Sequence, residues 1–147
     1  MRWIIHAAAM LLCAAGAHGA DLTVLSAGAV RPALNGLAAD WSHETGHRVS
    51  VSYAAAGDLR KRLASGERAD ILILPQENFE ALEREGLVDR AARRDLGAVR
   101  IELQKATIYT AAVMKGAPAA GVAGMLLDHL ASEAGRKAFI ARGFGAP

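Results

Sequence analysis

The hydrophobic pattern alternates between short β-rich runs and stretches with helical spacing. Leu22-Thr23-Val24-Leu25-Ser26 reads as a strand that breaks at Ala27-Gly28 and restarts as a helix over Pro32–Thr45, with Pro32 in its first turn and Leu34, Leu37, Ala38 and Trp41 on one face. Gly46 closes that helix, and His47–Tyr53 alternates as a half-buried strand does. A second small-residue turn, Ala54–Gly57, leads into a helix over Asp58–Ser65, for which Asp58 is the expected cap. Ile71–Leu74 is apolar without alternation and ends at Pro75, the pattern of a central strand covered on both faces. Phe79–Arg84 predicts a third helix, and Gly86-Leu87-Val88 leads into a charged segment, Asp89–Asp95. β-like runs at Val99–Leu103 and Thr107–Val113 follow, then helices at Val122–Leu130 and Glu133–Ala141, the last with Ser132 as N-cap. The order predicts an α/β fold: a single three-layer α/β/α domain with a mainly parallel sheet.

The N-terminal residues change the picture of what is folded. Arg2 carries a positive charge, Ile4–Ala15 is apolar, and Ala15-Gly16-Ala17 and Ala17-His18-Gly19-Ala20 offer small-residue cleavage points. That is the pattern of a secretory signal peptide, expected over residues 1–20, with residues 21–147 as the exported chain. Cys13 is the sole cysteine, and Leu12 before it argues against a lipoprotein. Cleavage leaves no thiol, so the mature chain is held by its core without a disulfide. No later apolar run is long enough to span a bilayer.

Charge adds little. The formal net charge is +2, and Arg60, Lys61 and Arg62, like Arg90, Arg93 and Arg94, are interleaved with acids rather than gathered on one face. No nucleic-acid partner is expected.

Three features bear on chemistry. The strand-to-helix turn at Ala27-Gly28 leaves backbone N–H groups at the positive end of a helix dipole, which can receive a negatively charged group; an ordinary α/β connection without a ligand has the same sequence. His43-Glu44-Thr45-Gly46-His47 matches the HExxH pattern of zinc proteases, which needs both histidines on one continuous helix. Gly46 ends the helix between them, so two histidines around a cap are expected and no metal. No nucleophile elbow, P-loop or CxxC is present, and neither catalysis nor a cofactor is expected. Asp58 and Asp70 stand near predicted strand ends, where capping accounts for both.

Three blocks in order, LTVLSAGAVRPALNGLA, HETGHRVSVSYAAAGDLRKRLASGERADILILP and ELQKATIYTAAVMKGAPAAGVAGMLLDHLASEAGRKAFIARGF, resemble the periplasmic molybdate-binding proteins of ABC importers and their relatives among type II solute-binding proteins. The resemblance implies one lobe of a two-lobed fold: an N-terminal block over 21–101 and a returning C-terminal block over 102–147, with the second lobe absent between them. It implies a small anionic solute, a molybdate-like oxyanion or another small anion, bound for an importer's membrane subunits. The site it implies comprises Ser26, Ala27, Gly28 and Ala29 at the first turn and Ala56, Gly57 and Asp58 at the second. Where molybdate binders present a serine hydroxyl at each turn, this chain has Ala29 and Ala56. The competing expectations are an interaction or sensory lobe that forms a homodimer through its exposed cleft face, and a remnant without ligand binding.

Overall fold

The computed structural model describes residues 19–101 and 104–147. All of the expected signal peptide except Gly19 and Ala20 lies outside the described residues.

Strand β1 (Asp21–Ala27) leads through a 3-10 turn at Gly28–Val30 into α1 (Arg31–Thr45). β2 (Arg48–Ala54), α2 (Ala56–Ala64), β3 (Ile71–Pro75) and α3 (Phe79–Arg84) follow, then β4 (Val88–Val99), β5 (Thr107–Met114), α4 (Ala120–Ala131) and α5 (Glu133–Ile140). The sheet order is β2-β1-β3-β5-β4. β1 pairs in parallel with both β2 and β3, while β5 runs antiparallel to β3 and β4. Four strands therefore point one way, as a mainly parallel sheet requires.

Each face of the sheet carries its own apolar layer. Leu22, Val24, Ile71 and Ile73 pack with Leu34, Leu37 and Trp41 of α1, Leu126 and Leu130 of α4 and Phe139 of α5. Leu25, Leu72 and Leu74 pack on the other side with Leu59 and Leu63 of α2 and Phe79 and Leu82 of α3. β3 lies in the middle of the sheet, and all four residues of Ile71–Leu74 are fully buried. At about 1.5–3 kcal/mol for each buried aliphatic side chain, this run is among the strongest local contributions to folding.

Local chemistry sets the boundaries. Gly46 ends α1 in the left-handed conformation at φ 75°, and its N–H donates to Ser42 O. Ser132 caps α5 by accepting from Gly135 N–H at 3.1 Å. α2 starts two residues earlier than the sequence predicts, so Ala55 is its N-cap and Asp58 lies inside the first turn, where no side chain caps the helix. The expectation of an Asp58 cap is thus corrected. Its carboxylate instead lies 3.5 Å from Lys61 Nζ, one turn along.

The charged segment Asp89–Asp95 also departs from expectation, since it is strand. β4 begins at Val88 and ends at Val99; the strand expected over Val99–Leu103 does not form at Arg100 and Ile101, and the remaining two residues lie outside the described ones. Hydropathy hides this strand because it is an edge strand whose polar residues find ionic partners on both faces. Arg93 lies 3.1 Å from Glu83 of α3, Arg94 3.4 Å from Asp128 of α4, and Asp89 2.8 Å from Lys115. Shifts of register on either side of Arg93–Asp95 further break the alternation.

Asp70 caps no helix either. It is 4% exposed, and its Oδ2 accepts from Thr23 N–H at 2.8 Å and from the Thr23 hydroxyl at 3.1 Å. Its N–H donates to Thr23 O, and its own carbonyl accepts from Met114 N–H, both at 2.9 Å. One residue thus joins β1, β3 and β5. Asp70→Ala strands the Thr23 donors and is expected to cost about 2–3 kcal/mol in urea unfolding, with Asp70→Asn costing less because one acceptor survives.

Three carboxylates lie below their ordinary values of 3.8 for Asp21 and 4.5 for Glu67 and Glu85, held down first by hydrogen bonds from Arg48, Arg62 and Arg60. A lowered folded-state pKa contributes stability that is complete above the unfolded value and lost as pH falls through the folded one. The melting temperature should therefore fall with acid below about pH 4.5, and Glu67→Gln should shallow that fall in scans run across pH at low salt.

Candidate functional site

The carboxyl ends of the parallel strands are where loops converge on small residues. β1 and β2 pair through to Ala27 opposite Ala54, so the turns that follow them are neighbours. Each turn feeds a helix whose start has no side-chain cap. Gly28, Ala29, Ala55 and Gly57 are exposed there, and Ala56 is half-buried. The result is an open end of the lobe at which two helix starts present main-chain N–H groups with little side-chain cover.

The seven residues anticipated for this site divide. Gly28 and Ala29 stand open on the first turn, directly after the buried Ala27. Ser26 does not reach this surface: it is fully buried between β2 and β3, and its hydroxyl donates to Ala27 O at 3.1 Å. On the second turn Ala56 and Gly57 lead α2. Asp58 N–H already donates to Ala55 O at 3.0 Å, as does Leu59 N–H. The donors left at this helix start are accordingly those of Ala56 and Gly57.

Arg31, which the sequence reading passed over, brings a positive charge to the first turn. It is the first residue of α1, and its guanidinium lies 4.5 Å from the centre of the Tyr53 ring. Tyr53 precedes Ala54 on β2 and donates its hydroxyl to Asn35 Oδ1 at 2.6 Å. Burial raises the Tyr53 phenol above its ordinary pKa of 10.0, and the nearby Arg31 charge opposes that rise. An arginine directly before a helical proline is visible in the sequence. Its stacking partner is not, because that depends on how α1 lies across β2.

The HExxH match does not place its two histidines on one helix. α1 stops at Thr45, and His47 lies beyond the cap, stacked on Trp41 at 5.3 Å with its Nδ1 accepting from Ala20 N–H. Among the described residues no group of three potential ligands gathers.

The cleft face through which a homodimer was expected carries few exposed large apolar side chains. Among the described residues the exposed large apolar side chains are Ile101, Met125 and Ile140, of which Met125 and Ile140 sit on α4 and α5. Ile101, beyond the end of β4, alone lies at the strand ends. The exposed residues of the two turns include Gly28, Ala29, Ala55 and Gly57, so among the described residues no large exposed apolar patch argues for a homodimer through this face.

A family profile, bacterial extracellular solute-binding protein, matches residues 22–103, more than half of the chain. The chain belongs to this family. The matched segment contains both turns. Solved members of the wider solute-binding fold agree with the lobe at low identity. A substrate-binding domain ascribed to a molybdenum ABC transporter from Clostridium difficile aligns with TM-score 0.79 at 12% identity over 88% of this chain and 100% of that one. The periplasmic molybdate-binding protein of Azotobacter vinelandii gives 0.77 at 11% over 86% and 99%, and a sulfate-binding protein from Mycobacterium tuberculosis 0.71 at 10% over 85% and 86%. A search of curated protein sequences finds no match. At these identities the structures establish the fold of this solute-binding lobe.

Arg31→Ala should move the Tyr53 phenol titration upward, because the cation that favours the phenolate is gone, while Arg31→Lys should move it less. Tyrosinate absorbance in a Tyr109→Phe background isolates the signal; an unchanged midpoint would show that the guanidinium does not lie over the ring in solution.

Proposed function

We propose that the lobe binds a small oxyanion or carboxylate at its two uncapped turns and delivers it to an ABC importer outside the cytoplasm, without chemical transformation. The observation that carries this reading is the pairing of Ala27 with Ala54, which sets two helix starts side by side, with Arg31 adding a cation next to them. Gly28, Ala29, Ala56 and Gly57 supply main-chain donors. Neither Ala29 nor Ala56 has a hydroxyl, and the Asp58 charge is partly offset by Lys61. The proteins of similar fold that serve molybdenum transport or bind molybdate or sulfate support the ligand class. Family membership supports the solute-binding role and an extracytoplasmic place of work.

We further infer that β4 and β5 are the strands between which two-lobed members send their chain into a second lobe. Here only residues 100–106 connect them, and Gln104 N–H donates to Ile101 O at 3.0 Å within that connection. A half-site open to water binds less tightly than one closed by a second wall, so the expected affinity is low.

Thermal denaturation with molybdate, tungstate, sulfate, phosphate and small carboxylates tests the reading. A ligand that binds only the folded state at a hundredfold excess over its Kd contributes about 2.7 kcal/mol, a rise of about 10 °C for a chain of this size. Ala29→Ser with Ala56→Ser restores two hydroxyl donors worth about 1.5–3 kcal/mol each to a charged ligand, so the double variant should bind about 10² to 10⁴ times more tightly. If neither protein responds to any of these anions, the reading is wrong. A ligand-independent dimer in sedimentation would then favour the interaction lobe.

A further inference from the structure

Gly19 and Ala20 precede the first strand, yet both are built into the lobe. Arg48 N–H donates to Ala20 O at 2.9 Å, which carries the β1–β2 pairing one residue beyond Asp21. Ala20 N–H donates to His47 Nδ1 at 2.8 Å, and that imidazole is stacked on the buried Trp41. The acceptor is thus fixed by packing. Gly19 passes so close to the cap of α1 that a Cβ on it would collide with the carbonyl oxygen of Gly46. Backbone meets backbone here, and only glycine permits the approach.

These are native contacts of two residues that a leader ending at Ala20 would remove. The sequence before them bears on the same question. Leader peptidases select small residues at the first and third positions before the cut. Cutting after Ala17 places Ala17 and Ala15 there, whereas cutting after Ala20 would place His18 at the third position. Cutting after Gly19 would satisfy the small-residue rule but discard the residue packed on Gly46.

We propose that the leader is removed between Ala17 and His18, so that the mature chain is residues 18–147 and its Gly19 and Ala20 form part of the lobe. The step is hydrolysis of the Ala17–His18 peptide bond: water gives its hydroxyl to the Ala17 carbonyl carbon and a proton to the His18 nitrogen, leaving a carboxylate and an amine. This rests on reading residues 1–17 as a secretory leader and is independent of which solute binds.

The test is secretion of the full 147-residue chain in a Gram-negative host, followed by intact mass and N-terminal sequencing of the periplasmic protein. The expected first residue is His18. A chain starting at Ala20 or Asp21 overturns the assignment of the cut, and an unprocessed chain overturns the leader reading and the proposal with it. Gly19→Val in the full precursor adds a second readout. If Gly19 is retained, the secreted variant melts several degrees below the parent. Identical melting temperatures would mean that residue 19 is absent from the mature protein or free of its contact, and either overturns the proposal.

Discussion

Asp70 fixes how β1, β3 and β5 align in the sheet. It grips Thr23 through both the main-chain N–H and the hydroxyl, and its own main chain joins β1 on one side and β5 on the other. A parallel pair has no hairpin to set its register, so the register must come from such cross-strand bonds and from apolar side chains that fit only one way. With Val24 held opposite Ile71, the alternation of Ile71–Leu74 sends two side chains into each apolar layer. The same register, continued into β2, brings the Ala27 and Ala54 turns together at the far end of the strands. A polar clamp at one end of the sheet thereby governs the geometry of a surface at the other.

On the proposed function, that surface binds through main chain rather than side chains. Gly28, Ala29, Ala56 and Gly57 contribute almost no side-chain volume, and so a ligand can approach the N–H groups closely. Ser26, the hydroxyl nearest in sequence, is turned inward to its neighbour's carbonyl. Charge comes from Arg31, which stacks on the face of Tyr53 and, among the described residues, forms no ion pair with a carboxylate. An anion held this way gains from helix dipoles and one cation, each worth little in water. Specificity among anions would then follow from size and from the spacing of the two turns.

Most of the fold was legible because it obeys local rules. The apolar stripe of α1, the Gly46 stop, the uninterrupted Ile71–Leu74 run and the Ser132 cap each have a cause within a few residues, and each element forms where those residues place it. The failures are tertiary. β4 escaped notice because its charges are neutralised by Glu83 and Asp128, residues of helices on opposite faces of the sheet. Asp58 looks like a cap by residue type, but Ala55 takes that place once Ala56 and Gly57 adopt helical geometry. Asp70 reads as a cap for the same reason, and its real partner lies 47 residues away. Of the candidate site, the two turns could be read from small residues after a β-rich run, whereas the burial of Ser26 and the seat of Arg31 depend on packing between elements.

The edges of the sheet explain how a single lobe can stand alone. β2 carries Arg48 and two serines, Ser50 and Ser52, along its length, and Arg62 ties Ser52 to α2 at 3.0 Å while holding Glu67 through both carboxylate oxygens. β4, the other edge, carries Arg93 and Arg94 in ion pairs and is broken by irregular register. Near its end the returning tail covers it: Ala98 and Gly145 exchange both main-chain hydrogen bonds, and Phe144 seats edge-on against Phe139 and Tyr109. Charged, interrupted or covered edges resist pairing with another chain. At the open end of the lobe Ile101 is the one exposed large apolar side chain among the described residues. A surface of that kind is compatible with water on its own, and its exposure is consistent with a site meant to meet a solute.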